Sequence, residues 1–448
     1  MSDRGNQAGF TLIELTVSLV AGLIVAMGII ALSRESTRTF HEEVRSAAAE
    51  ATLRTAIDRL RADLQRAGFM STANIMADPL IARPPTDASN VARINAAMIG
   101  IRQLAGIHLL AGASAGLPLA AKQAPALSPD AIEIGGNMAS TEQFEIQSIQ
   151  PAVGTCQQIF LSAQSAVMYR INAVGSVAAA DLELKNLFQP APTALKPFIA
   201  RIVDDTGRSQ YVATCTSSPT GQVAGLIAGS PPTPYVWINT TSTPLLTPQQ
   251  TSTVGGVSGF GSGRAWINPV QIVRWQIVAA TAEPLQYQNA LAGSPLNPAA
   301  QDPNKYDLIR SFVDATDTVV AETTEVVAEY AVDLEFAFSI DSGSVGAPVM
   351  QTFPFESATN QTWADVATAS QTGPQRIRAV RVRLVTRTAQ PDRSVNVAVP
   401  NPGTQGFLYR YCVNFTPTCA TNDGVLRWAR ARTVTTEVSL PNQQGAYY

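Results

Sequence analysis

Histidine is nearly absent: the chain has two in 448 residues, His41 and His108. Neither stands at a spacing that suits a zinc site or a Ser-His-Asp triad, which argues against a hydrolase. The stretch GGVSGFGSG lacks the lysine of a phosphate loop and the strand-then-helix setting of a dinucleotide motif. Asp204, Asp205 and the acidic residues of 302–307 lack the repeated spacing of a calcium loop. The expectation is therefore a non-enzyme, with no catalytic residue, no metal and no cofactor. Charge is sparse as well, 15% of residues against roughly 25% in a typical soluble domain. A net charge of -3 gives no global attraction to nucleic acid, so no nucleic-acid partner is expected. Between residues 70 and 143 there is no aromatic residue at all, and segments such as LAGASAGLPLAAKQAPALSP read as an irregular surface excursion. No repeat period of roughly 20 to 50 residues is present.

What the chain does have is a long apolar run at its start. Residues 10–32, FTLIELTVSLVAGLIVAMGIIAL, carry one charge in 23 positions. At about 1.5 Å per residue this crosses a hydrocarbon core of about 30 Å. A cleavable secretory signal would be shorter and end in small residues, whereas this run ends in Ser-Arg-Glu. Arg4 and the amino terminus precede the span and favour a cytoplasmic start, with Asp3 opposing them. The rest of the chain is then expected on the far side of the membrane.

Glu14 is the one charge in the span, and an ionisable group there costs free energy unless it is compensated. Cutting after Gly9 would place a new amine on Phe10, one helical turn before Glu14. Paired between neighbouring subunits, those two charges would fix an axial register. A lone glutamate snorkelling to the interface is the alternative.

The segment Ala8-Gly9-Phe10-Thr11-Leu12-Ile13-Glu14 closely resembles the prepilin peptidase site of type IV pilins and type II secretion pseudopilins, GFTLIE. The resemblance implies cleavage between Gly9 and Phe10, N-methylation of Phe10, and a subunit-docking role for Glu14. Beyond Leu32 the sequence turns amphipathic: Phe40, Val44, Ala47, Ala51, Leu53, Ile57, Leu60, Leu64 and Ala67 recur at steps of three and four. Glu50 with Arg54, and Arg59 with Asp63, are spaced to pair on an exposed face, and Gly68 is placed to end the helix. One rod from residue 10 to 67 is the expectation, with two helices kinked near residues 33–37 as the alternative.

The helix end IDRLRADLQRAGF resembles that of PilW-like minor pilins. So, in order, do VVAEYAVDLEFAF, IRAVRVRLVTRT and ARTVTTEVSL, although the chain continues with PNQ where the family more usually has arginine-asparagine. Period-two alternation marks strands around residues 271–277, 325–338, 380–384 and 434–440, each expected to have one buried and one wet face. Arg376, Arg378, Arg381, Arg383, Arg387 and Arg393 crowd one of them. Alternation with Val and Leu reads as a solvated face, and a surface holding DNA phosphates, as in some DNA-uptake pilins, is the alternative.

The expected fold class is α+β: a long N-terminal helix, half membrane-spanning and half amphipathic, packed on an antiparallel β-sheet head with large loop insertions. The expected division is a leader at 1–9, membrane-spanning helix at 10–33, amphipathic helix at 34–68 and head at 69–448, the head splitting near 265 into 69–265 and 266–448. Insertions are expected near 70–130, 247–264 and 283–305. Four cysteines allow three pairings. Spacing favours Cys412 with Cys419 across a proline-containing turn, leaving Cys156 with Cys215; four buried thiols are the alternative. The resemblance implies a minor pilin in a priming or tip complex for pilus assembly. Its partners would be the prepilin peptidase, other minor pilins, the major pilin, the inner-membrane assembly platform and a PilY-type tip adhesin. It would sit in the bacterial inner membrane with its head in the periplasm, then in the surface pilus. A minor pseudopilin and a pilin-like surface adhesin are the competing readings.

Overall fold

The computed structural model describes residues 11–82, 94–112, 129–172, 177–190, 195–218, 224–227, 233–243, 264–280, 305–355, 362–366, 373–393, 409–413 and 424–446. The leader, Gly9, Phe10, Cys419 and nearly all of the insertions at 247–264 and 283–305 lie outside the described residues.

A single unbroken helix, α1 (Leu12–Gln65), opens the chain. It contains no proline, and its two glycines, Gly22 and Gly28, lie in the apolar half. There is therefore nothing at residues 33–37 to break the hydrogen-bond ladder, and no kink separates the halves. Gly68 follows with a φ of +71°, the left-handed backbone that ends a helix.

Next come α2 (Ile99–Arg102), β1 (Ile107–Leu110), β2 (Ala131–Gly136), β3 (Phe144–Ile149), β4 (Cys156–Leu161), α3 (Ala166–Asn172) and α4 (Val177–Phe188). They are followed by β5 (Ile199–Asp204), β6 (Ser209–Ala213), β7 (Ala224–Ile227), β8 (Thr233–Asn239), β9 (Ala265–Ala279) and β10 (Tyr306–Val313). The last strands are β11 (Glu325–Ala328), β12 (Ala331–Asp341), β13 (Met350–Thr352), β14 (Ile377–Arg387), β15 (Arg410–Cys412) and β16 (Trp428–Ser439).

All named pairings are antiparallel and fall into two sheets. The spine of the larger is β9, whose first half lies between β3 and β5 and whose second half lies between β2 and β10. Pro269 sits where β9 has passed β3 and not yet met β2, so a missing N–H is tolerated there. β9 begins at the division suggested near residue 265 and pairs with strands from both sides of it. The smaller sheet runs β13-β12-β14-β16-β15.

One core joins the distal half of α1 to both sheets. Leu53, Ile57, Leu60 and Leu64 pack with Ile132, Val273 and Trp275 from one sheet and Leu334, Phe336, Val382 and Val438 from the other. A second core lies under α3 and α4, around Phe144, Phe188, Ile202 and Val236. The aromatic-free region is not all surface excursion. Its aliphatics Ile75, Ile101 and Leu104 bury against Tyr211 and Ile272, because aliphatic side chains fill a core without aromatic help.

Two further expectations are corrected. The long alternating run is two strands, broken where Tyr330 takes a φ of +56°. Its acidic face is wet only in part: Glu329 is exposed and Glu325 half-buried, but Asp333 and Glu335 are buried and pair with Arg383 of β14, which stands opposite Glu335. Phe355 covers this face, with the guanidinium groups of Arg381 and Arg383 at 5.4 and 5.1 Å from its ring. Arg376, Arg378 and Arg387 are buried too and donate to main-chain carbonyls, so the arginine array presents no continuous phosphate-holding face. The outer side of β16, with exposed Thr435, Glu437 and Ser439, is wet as expected.

Candidate functional site

The helix start holds the motif residues that fall within the structure. Thr11 is the N-cap of α1; its hydroxyl accepts from the Glu14 N–H at 3.3 Å, while Glu14 Oε2 accepts from the Thr11 N–H at 3.0 Å. This is a capping box, which satisfies two of the N–H groups a helix start leaves without intrahelical partners. The T-x-x-E spacing within GFTLIE is its sequence signature, and the reading of Glu14 as a docking group alone missed it. Glu14 also accepts from the Thr11 hydroxyl at 3.0 Å, so its carboxylate is engaged within its own chain. From Leu12 onward the apolar half of α1 packs against no other element among the described residues: none of its most apolar 18-residue window is buried.

Further along, α1 changes what it shows the head. Phe40, Val44, Ala47 and Ala51, expected on the packed stripe, are exposed, and the buried groups at this height are Glu42 and Ser46. The head here offers polar donors rather than an apolar surface: Arg432 Nε donates to Ser46 Oγ at 3.0 Å, and the main-chain N–H of Arg393 to Glu42 Oε1 at 3.5 Å. Below, Asp392 is 1% exposed and is held by Arg410 and Arg430. Only from Leu53 does the apolar stripe face the head.

The last turns lock the rod in place. Asp63 does not pair with Arg59. It is buried, accepting from the Trp275 indole at 2.9 Å and from Arg310 Nε at 2.7 Å, while Arg59 pairs with Glu325 on β11. Glu50 and Arg54 do pair, at 2.6 Å, in solvent. Past the helix end, Asn442 Nδ2 donates to the Gln65 carbonyl at 2.9 Å, so the PNQ segment closes the C-terminus of α1. Gly136 permits this junction: a Cβ there would lie 2.4 Å from the Arg66 carbonyl.

On the sheet face away from α1, His108, Glu133 and Arg274 form a row across β1, β2 and β9. His108 Nδ1 lies 3.0 Å and Arg274 Nε 2.8 Å from the Glu133 carboxylate, and Arg274 also donates to Asp317 at 2.7 Å. Burial alone would raise the Glu133 pKa, but the hydrogen bond with His108 and the charge of Arg274 outweigh it and hold it low. Asp317 is raised to about 6, first by burial and then by repulsion from Glu133. Among the described residues, no group of three or more His, Cys, Asp or Glu is placed to hold a metal ion.

Cys156 and Cys215 form a disulfide, with Cα atoms 5.8 Å apart, tying the start of β4 to the segment after β6. Cys412 on β15 is disulfide-bonded as well.

Residues 4–30 match the family model described as the prokaryotic N-terminal methylation motif. No curated protein and no solved structure matches the chain. The motif and the apolar helix behind it support a prepilin of the type IV pilin or pseudopilin kind, with the helix as membrane anchor.

Proposed function

We propose that the chain is a PilW-like minor pilin, a non-enzymatic subunit that joins other minor pilins in a priming or tip complex for type IV pilus assembly. One observation carries this reading. The methylation motif stands at the head of an unbroken 54-residue helix whose first half is bare among the described residues and whose last turns, from Leu53, are packed into the core of a β-rich head. A plain membrane anchor needs no such continuity. A subunit that must leave the bilayer and pack by the same helix does, because head and apolar rod then move as one body.

In this reading a prepilin peptidase cuts between Gly9 and Phe10, and Phe10 is then methylated. The freed amine competes with Thr11 for the Glu14 carboxylate, within the subunit or across to a neighbour. The major pilin, the assembly platform and a PilY-type tip adhesin are the further partners, and the protein moves from inner membrane to surface pilus with its head outside the cytoplasm. The test is Glu14→Ala: it inserts in the membrane normally and is recovered poorly in sheared filaments. Recovery at the native level would return α1 to being a simple anchor. A deletion strain with normal pilus numbers would remove the assembly role.

A further inference from the structure

The hairpin that joins β12 to β13 carries an apolar tip out of the smaller sheet. Val345 is 78% exposed, Val349 52% and Met350 54%, and residues 342–355 contain no charge. The tip is firmly built. Asp341, buried at its base, accepts from the Gly343 N–H at 2.9 Å and the Val349 N–H at 3.0 Å, and Arg376 Nη1 donates to the Gly343 carbonyl at 2.9 Å. Gly346 makes the turn with a φ of +83°.

Behind the tip, β13 is an edge of its sheet. The Val349 carbonyl accepts from the Ser342 N–H, and the Phe353 N–H donates to the Phe338 carbonyl, so these residues face β12. Alternation along an antiparallel strand then turns the N–H and C=O groups of Met350 and Thr352 away from β12, and among the described residues no hydrogen bond reaches them.

Other edges are blunted. Asp181 on α4 accepts from the Leu226 N–H of β7, and Thr243 from the Ala213 N–H of β6. β1, β11 and β15 carry the ionisable residues His108, Glu325 and Arg410. β13 has neither device.

We infer that β13 is an acceptor edge for one extended, uncharged strand of a different protein. Its free donor–acceptor pairs recur at every second residue, about 7 Å apart, a spacing that an extended polypeptide backbone matches with acceptors and donors of its own. Charge on the incoming strand would be buried against Val349 and Met350, so the strand that fits carries none on the sides that meet them. A second copy pairing antiparallel through the same edge would be related by a twofold axis across the sheet. Because α1 lies on a face of this sheet, that copy would point its apolar helix the opposite way, out of any shared membrane. The choice of a different protein thus rests on α1 as a membrane anchor; the open edge does not.

The test places a benzophenone side chain at Gln351 of the full chain, irradiates cells of the native host and maps the adducts by mass spectrometry. The expected product joins this position to an uncharged, extended segment of another protein. Thr352→Pro removes an outward N–H and spares the ladder to β12, since an edge strand tolerates proline there. It lowers the adduct about fivefold, the effect of one lost main-chain hydrogen bond. Met350→Lys puts a charge on the edge without altering the backbone and lowers the adduct by a similar factor. Unfolding midpoints stay at the native value; where proline shifts the midpoint, Met350→Lys alone decides. An adduct that the variants leave unchanged would be a side-chain contact and overturns edge pairing. So does an adduct to lipid or to a segment of the same chain, or no adduct at all. An adduct to a second copy overturns the choice of partner.

Discussion

The two ends of α1 are made of similar residues in opposite surroundings. Leu23 is 52% exposed and Leu60 is 1% exposed, on one helix with no break between them. The difference teaches that apolar content alone does not say what a helix is for; the distribution around its circumference does. Apart from the Thr11–Glu14 cap, residues 12–32 are apolar round most of their circumference and pack against no other element among the described residues, as suits a lipid-facing segment. From Leu53 to Leu64 the apolar positions form a stripe, and the buried polar group there, Asp63, is matched by Trp275 and Arg310.

Breaking the packed half at Asp63 has the largest expected effect. Asp63→Ala leaves the buried Arg310 with Glu325 alone, 3.8 Å away, and the Trp275 indole N–H without its partner, which lowers stability by about 3 kcal/mol in urea unfolding of the full chain. An unchanged midpoint would show that the rod is not locked there. Leu60→Ala follows, with a cost of about 2–5 kcal/mol from lost burial and cavity. Leu23→Ala leaves the unfolding of the head where it is, and equal losses from the two leucines would erase the contrast between the halves.

A smaller, pH-dependent effect belongs to the head alone. Asp317 holds its proton to about pH 6 in the fold, whereas its ordinary pKa is 3.8. The folded state therefore binds more protons than the unfolded chain between those values, and stability falls as pH rises from about 4 to about 6. Asp317→Asn flattens that slope. The gain at pH 7, discounted for solvent screening, is about 1 kcal/mol. A slope that survives the substitution would place its origin elsewhere. The smallest effect is at the exposed Glu50–Arg54 pair, where Arg54→Ala costs about 0.3–0.5 kcal/mol and the loss disappears in high salt.

The rod was legible in the sequence because hydropathy and proline absence act locally. Which face of it meets the head was not, since Phe40 and Val44 obey the same three-four spacing as Leu53 and Ile57. The partners of Ser46 and Glu42, the Arg432 guanidinium on β16 and the Arg393 main-chain N–H after β14, lie hundreds of residues away. The strands of the smaller sheet were visible as alternation, but alternation cannot tell a wet polar face from one covered by a second layer. Phe355 supplies that layer, and Asp333, Glu335 and Arg383 become an internal network. At the helix start, Thr11 and Glu14 were in plain view, yet the capping box was overlooked because the same hexapeptide already carried a cleavage and docking meaning. Gly9 and Phe10 rest on the motif alone.

The bond from Asn442 to the Gln65 carbonyl spans 377 positions of chain. At roughly 5–20 residues per second of synthesis, the far end of the rod waits on the order of 20 to 75 s for its cap. Until Asn442 is made, the Gln65 carbonyl lacks the side-chain donor that closes it in the finished fold. Closure of this helix end therefore depends on residues far along the chain rather than on its own last turn.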